Sequence, residues 1–322
     1  MIHKNNLEKS LKIIFAGTSD FSANYLNLLL LSHHRILAVL TQPDRPNTRG
    51  KKIIQSPVKF LSENYKIQTF QPNTFHTIHI LKFMMIKINF IIVIAYGIII
   101  PKYILNIFPK KYLNIHTSLL PKWKGAAPIQ WSILNGDYKT GITIIQMDEN
   151  MDTGKILHKI SCPTSIRETT ISLTKKLYNI SSQKILTIIN NIQNKKYQFK
   201  QQNPKATTYA IKIKKKMASL NFFMNAKHID RMIRALNPKP GTYIKIKNNI
   251  IKIFKVTILK SIKKYHIGEI IKINNHGIQI QTIKNIINIQ KIQLPGKKII
   301  KISEFINSHQ KIFSKGNILN NK

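Results

Sequence analysis

Cysteine is all but missing from this chain. One residue in 322, Cys162, excludes an internal disulfide and leaves no CxxC pair for a structural metal. A lone thiol fits a reducing compartment. Acids are scarce as well, with 12 Asp+Glu against 52 Lys+Arg. No His, Cys, Asp and Glu set shows metal-ligand spacing, so no metal is expected. Long apolar runs are absent. The longest, NFIIVIAYGIII at 89–100, falls short of the roughly 20 residues a bilayer span needs. The N-terminal MIHKNNLEKSLKIIFAG has no apolar stretch of signal-peptide length. These absences lead to the expectation of a soluble, cytoplasmic protein. FAGTSDF holds one glycine in its strand-to-helix turn where a dinucleotide fingerprint needs GxGxxG, and no GxxxxGK[ST] occurs. Ser118 lies near His116 in sequence, but no GxSxG elbow surrounds it.

Lysine is in excess. The formal net charge is +40 at pH 7. Such a balance attracts polyanions, nucleic acid first among them. A second source is codon bias, because Lys, Ile and Asn all have AT-rich codons. The distribution separates the two readings in part. Residues 212–322 hold 24 Lys+Arg and 3 Asp+Glu, or +21 over 111 residues, whereas residues 1–211 hold 28 and 9, or +19 over 211 residues. Codon bias alone does not predict that unevenness.

Short apolar runs alternate with helical patterns through the first two-thirds. LKIIFAG (11–17), ILAVLTQ (36–42), NFIIVIAYG (89–97), KYLNIH (111–116) and GITIIQMD (141–148) read as strands. Helical patterns fall after Ser19 or Asp20 as N-cap, and near 57–65, 101–107 and 127–135. This is an α/β series with a mostly parallel sheet. Residues 168–196 read as one long amphipathic helix closing the domain. The polar stretch 197–211 reads as a linker. After a helical patch at 225–236, short strands joined by Asn and Gly turns predict a small β-barrel, with Ile facing its core and Lys facing solvent. The expected organisation is therefore 1–196, a linker at 197–211, and 212–322.

The chemistry gathers at the end of YLNIH. Side chains alternate along a strand, so Asn114 and His116 share one face while Leu113 and Ile115 share the other. Ligands of open α/β sheets sit beyond the carboxyl ends of the strands. Three of the 12 acids fall in MDENMDTG (147–154), so Asp148, Glu149 or Asp152 is a candidate third group if the strands are neighbours.

In order and at similar spacing, FAGTSDF, TQPDRPNTRGKK, SPVK, AYGIIIPK, NIHTSLLPKWKGAAPIQWSI, TGITIIQMDENMDTG and IRALNPKPG resemble the methionyl-tRNA formyltransferase family, within the wider folate-dependent formyltransferases. The resemblance covers nearly the whole chain. It implies a Rossmann-like formyltransferase domain followed by an OB-like, tRNA-binding barrel. It implies 10-formyltetrahydrofolate as co-substrate, without a metal, and initiator Met-tRNA as partner; a monomer is the default expectation. Asn114, His116 and Asp152 align with the family's catalytic triad. Ser118, Leu119, Leu120 and Pro121 align with its folate turn, with Tyr96 and Gly97 nearby. Arg45, Arg49, Lys51 and Lys52 lie in the loop that approaches the tRNA acceptor end. The chain departs from the family pattern at Thr48, Thr117, Lys124 and Lys239, and at LNF (220–222). A small-amine acceptor, or a tRNA-binding protein without catalysis, are the competing readings.

Overall fold

The structure, a computed structural model, describes residues 10–46, 53–73, 87–246, 249–261, 265–309 and 312–319. In chain order the first elements are β1 (Lys12–Gly17), α1 (Asp20–Leu30), β2 (Arg35–Leu40), α2 (Pro57–Asn64), β3 (Thr69–Phe70), β4 (Phe90–Ile94), α3 (Lys102–Ile107) and β5 (Tyr112–His116). Then come α4 (Pro128–Asn135), β6 (Lys139–Gln146), β7 (Lys155–Pro163) and α5 (Thr170–Gln193). The seven strands form one sheet in the order β7-β6-β5-β4-β1-β2-β3. From β3 to β5 neighbouring strands are parallel. β6 runs antiparallel to β5, and β7 antiparallel to β6.

Local chemistry explains the helix starts. Ser19 caps α1 by accepting from the Ser22 N–H, and Ser56 caps α2 by accepting from the Lys59 N–H, with Pro57 just inside. All five residues of β4 are buried, as a strand covered on both faces requires. Around it pack Ile14, Ala38, Tyr96, Ile104 and Phe108. The long helix α5 packs its Tyr178 edge-on to Tyr25, 5.3 Å between centroids, and Tyr25 also bonds Ser181.

Two strands of this sheet escaped the sequence reading. β7, KILHKISCP, buries Ile156, Leu157, Ile160 and Cys162, but a bulge between Ile156 and His158 breaks the alternation that would reveal it. β3 has two residues, too few for a period. The direction of β6 was not legible either, since an apolar strand reads alike in both orientations. In the polar stretch 197–211, Lys200 exchanges both backbone hydrogen bonds with Ile156, at 2.8 and 2.9 Å, and Pro204–Ala206 forms a 3₁₀ turn.

The chain divides into two compact units. One comprises Met1–Pro128, Lys139–Pro163 and Thr174–Tyr209; the other comprises Ile129–Tyr138, Thr164–Leu173 and Ala210–Lys322. The second unit holds α6 (Ala226–Leu236), capped by Asn225, and then β8 (Tyr243–Ile246), β9 (Asn249–Leu259), β10 (Ile270–Asn274), β11 (Gly277–Gln281), β12 (Ile286–Gln293), β13 (Ile299–Lys301) and α7 (Ile302–His309). Its strands pair antiparallel in the order β8-β9-β12-β11-β10, with β13 added to β12. This sheet is consistent with an OB-like fold. Ile251, Ile253, Ile278, Ile280, Ile287, Ile289 and Ile292 are fully enclosed, while Lys245 between buried Ile244 and Ile246 is exposed. The Asn237 amide ties the end of α6 to β9 by donating to the carbonyls of Ile233 and Ile253, at 2.8 and 2.9 Å.

The β6–β7 pair is close enough to test. A Cβ added at Gly141 would collide with the Ile160 carbonyl oxygen and lie 2.9 Å from Ser161 Cα. Both neighbours are backbone, so neither can swing away. Gly141→Ala is expected to lower stability by about 1–3 kcal/mol, seen as a lower urea midpoint with an unchanged slope. An unchanged midpoint would show that the two strands can separate at no cost.

Candidate active site

Strand β5 presents the polar pair as its alternation requires. Leu113 and Ile115 are buried in the core, and Asn114 and His116 share the opposite face. Opposite them on β6 stand Ile145 and Thr143. His116 is buried and Asn114 half-buried. The loop after β6 brings Asp152 to both. Asn114 Nδ2 donates to Asp152 Oδ1 at 3.0 Å, the Gly125 N–H donates to Asp152 Oδ2 at 2.8 Å, and His116 Nδ1 lies 3.5 Å from the same Oδ2. The three acids of the loop therefore have separate tasks. Asp148 Oδ1 accepts from the Asn150 N–H at 3.2 Å and from Thr153 Oγ1 at 2.6 Å, stiffening the turn. Glu149 pairs on the surface with Lys102, 2.5 Å away. Only Asp152 turns inward, its side chain 10% exposed. It does so at φ +56°, a left-handed conformation that costs a non-glycine residue about 1–2 kcal/mol.

The His116 ring is held from its other side. Its Nε2 lies 2.9 Å from the Trp123 carbonyl oxygen, which can only accept, so Nε2 carries a hydrogen. The Nδ1 edge then faces the carboxylate. Trp123 is itself left-handed, at φ +62°. The turn between these two residues, Ser118 to Pro121, contains a cis Leu120–Pro121 bond. Ser118 and Leu120 are fully enclosed, while Leu119 and Pro121 are half-buried. Ser118 Oγ donates to the Lys122 carbonyl at 2.5 Å.

Thr143 on β6 holds this turn, and sequence reasoning missed it. Its hydroxyl donates to the Ser118 carbonyl at 2.6 Å and accepts from the Leu120 N–H at 3.0 Å. The available signal was a hydroxyl inside the apolar run GITIIQ, because a buried hydroxyl must find partners.

The remaining candidates are placed as follows. The Tyr96 carbonyl accepts from Thr18 Oγ1 at 2.7 Å and Gln42 Nε2 at 3.0 Å. Its ring is buried in the core, which pushes the phenol pKa above its ordinary value, and the exposed parts of the turn are Ala95 and Gly97. Gly97 has φ +76°, and a Cβ there would collide with Gln42 Nε2. Arg45 is exposed on a two-residue ribbon, Arg45–Pro46 paired with Ile53–Ile54. Beside it, Asp44 binds Lys59 at 2.5 Å and Gln71 at 2.7 Å. Burial alone would raise the Asp44 pKa, but those hydrogen bonds and the Lys59 charge hold it below its ordinary value. Arg49, Lys51 and Lys52 lie outside the described residues, as does Thr48. Of the other departures, Lys124 is buried, Thr117 half-buried and Lys239 exposed. Among the described residues no group of three or more His, Cys, Asp and Glu is placed to hold a metal ion.

The chain is similar to known proteins in both sequence and fold. Residues 8–189 match the Formyl transferase family, and residues 212–310 match its C-terminal domain. The chain is 44% identical over 313 residues to the methionyl-tRNA formyltransferase of Buchnera aphidicola subsp. Acyrthosiphon pisum (strain Tuc7), covering 97% of this chain and 100% of that one. It is also 44% identical over 321 residues to that of Buchnera aphidicola subsp. Baizongia pistaciae, covering 98% and 99%. Among solved structures, WlaRD, a sugar 3N-formyl transferase crystallised with dTDP and 5-N-formyl-THF, shares the fold at TM-score 0.67 and 22% identity, over 90% of this chain and 100% of that one. HypX from Aquifex aeolicus in complex with tetrahydrofolic acid aligns at TM-score 0.62 and 14% identity, over 98% and 51%.

Thr143 gives this site its own test. Thr143→Val keeps the shape but leaves the Leu120 N–H buried without its acceptor. The expected loss is about 1–3 kcal/mol of stability, measured by denaturant unfolding. Wild-type stability would mean that the turn does not depend on β6.

Proposed function

The chain belongs to the formyl transferase family, and on that premise we propose that it transfers the formyl group of 10-formyltetrahydrofolate to the α-amino group of methionine on initiator tRNA. The observation that carries the chemistry is the convergence of Asn114, His116 and the Gly125 N–H on one carboxylate, Asp152. The acceptor follows from likeness to methionyl-tRNA formyltransferases along both units, and from the dense charge of residues 212–322. The product, formylmethionyl-tRNA, serves translation initiation. We place the enzyme in the cytoplasm as a monomer. Among the described residues no helix is long and apolar enough to cross a membrane.

In this reading the neutral amine attacks the formyl carbon, and negative charge develops on the formyl oxygen. An Asn amide carries two hydrogens; one goes to Asp152, and the second is the donor for that oxygen. His116 contributes through Nδ1. The 3.5 Å gap to Asp152 exceeds the 2.7–2.9 Å of a close charge-assisted bond, so an Nδ1 hydrogen can be shared between the carboxylate and the oxyanion. Collapse of the tetrahedral adduct breaks the bond from carbon to N10. The amine releases a proton and N10 takes one, and Asp152 with His116 relays it through water. The donor set fits a formyl oxygen and needs no metal.

The turn Ser118, Leu119, Leu120 and Pro121 receives the folate, with the backbone about Tyr96 and Gly97 as a second wall. This largely apolar turn suits a flat heterocycle. Arg45, Arg49, Lys51 and Lys52 meet phosphates of the acceptor end. Arginine forks bind phosphate bidentately, whereas lysine offers a point charge.

His116→Ala is expected to lower formyl transfer by about 10²–10³-fold, with tRNA affinity unchanged; retained transfer would remove His116 from the chemistry. Arg49→Ala should weaken use of charged tRNA and reduce the slope of log K against log salt by about 1, without touching folate binding. The defining assay offers charged initiator tRNA, glycinamide ribonucleotide and free methionine as parallel acceptors. Transfer to the tRNA alone supports the proposal. Transfer only to the ribonucleotide overturns the tRNA reading, and folate and tRNA binding without transfer overturns the enzyme.

A further inference from the structure

The polar stretch that reads as a linker reaches both sides of the site. Gln202 Nε2 donates to the carbonyls of Asp152 and Gly154, at 2.7 and 2.8 Å. Both partners can only accept, so the amide nitrogen must face them. These bonds close on the backbone of the left-handed turn that presents the Asp152 carboxylate. Six residues on, Thr208 holds the other wall. The Trp123 N–H donates to Thr208 Oγ1 at 2.9 Å, and the Lys124 N–H donates to the Thr208 carbonyl at 2.9 Å. Those bonds set the peptide whose carbonyl takes the His116 Nε2 hydrogen. The stretch is itself secured on both sides of Gln202. Lys200 is paired with Ile156 on β7, and Asn203 Oδ1 accepts from the Lys205 N–H at 3.0 Å.

We propose that residues 200–208 form a strap that positions the catalytic groups, with Gln202 setting Asp152 and Thr208 setting His116 through Trp123. Neither side chain touches the reacting atoms, so both are positioning residues. The inference rests on the roles assigned above to Asp152 and His116. Its physical basis is that two strained residues, Asp152 and Trp123, both in the left-handed region, keep that conformation only while their surroundings over-determine it. The strap supplies that constraint from a segment 50 residues beyond Asp152 and 85 beyond Trp123 in sequence.

The test uses the full-length enzyme with Gln202→Met, Gln202→Glu, Thr208→Val and Thr208→Ser. Met keeps the length of Gln and loses the donor. Glu sets a carboxylate against two carbonyls. Val keeps the shape of Thr and loses the oxygen, whereas Ser retains it. Gln202→Met and Thr208→Val should each lower kcat by about 10- to 100-fold, with KM for folate and for tRNA held within about twofold. Gln202→Glu should fall further, and Thr208→Ser should restore the wild-type rate. Wild-type kcat in Gln202→Met and Thr208→Val, or losses confined to KM, would overturn the strap. Asp152→Asn separates this from the catalytic reading. If that variant keeps full transfer, the role of Asp152 is wrong and the strap is judged by amide exchange over 152–155. Faster exchange in Gln202→Met then supports it, and unchanged exchange overturns it.

Discussion

One buried carboxylate organises the site. Taking Asp152 out of water costs several kcal/mol unless its oxygens find donors. The fold meets that cost with two donors, the Asn114 amide on β5 and the Gly125 backbone beyond the turn, and sets the His116 Nδ1 edge 3.5 Å away. Each donor also loses its hydration, so the set is stable only when complete. Thr143, Gln202 and Thr208 stand behind this set, because Gln202 bonds the Asp152 backbone, Thr208 bonds Trp123 and Lys124 beside Gly125, and Thr143 bonds the Ser118–Pro121 turn.

The sheet makes the arrangement possible through a change of direction. β3 to β5 are parallel, and their carboxyl ends lie on one edge. β6 reverses. Its last residues pair with the start of β5, with Gln146 opposite Leu113. The loop 147–154 therefore begins beside β5 and folds over the face that Asn114 and His116 share. A β6 parallel to β5 would have begun its loop at the other edge. The apolar partners on β6 look alike in either direction, so this reversal is a property of the assembled sheet.

The charge is distributed with less precision than the site. Every described side chain that contacts the Asp152 carboxylate is an amide or an imidazole, although lysines crowd the sequence. In the second unit, Ile faces inward and Lys outward on β8, so a basic surface is the natural by-product of an Ile-Lys alternation. An isoleucine core and a lysine surface built by one alternation leave this antiparallel sheet with a basic face. Local composition, whatever its genetic source, is thereby turned to electrostatic use.

By itself the sequence determined the α/β class, a strand-rich C-terminal part, an N-cap at Ser19 or Asp20, and the placing of Asn114 and His116 on one strand face. Each of these is a consequence of local period or local hydrogen bonding, which a single stretch of chain carries. The ordered motifs singled out Asp152 only through resemblance, since the residues alone left Asp148 and Glu149 equal to it. The tertiary structure alone decided that Asp152 turns inward while its neighbours cap a turn and pair with Lys102. It also decided that β7 exists behind a bulge, that the Tyr96 ring is buried in the core, and that the polar stretch 200–208 is bound in place. These facts depend on partners tens of residues away, and hydrogen bonds between distant backbone groups leave no periodic mark on the residues that make them.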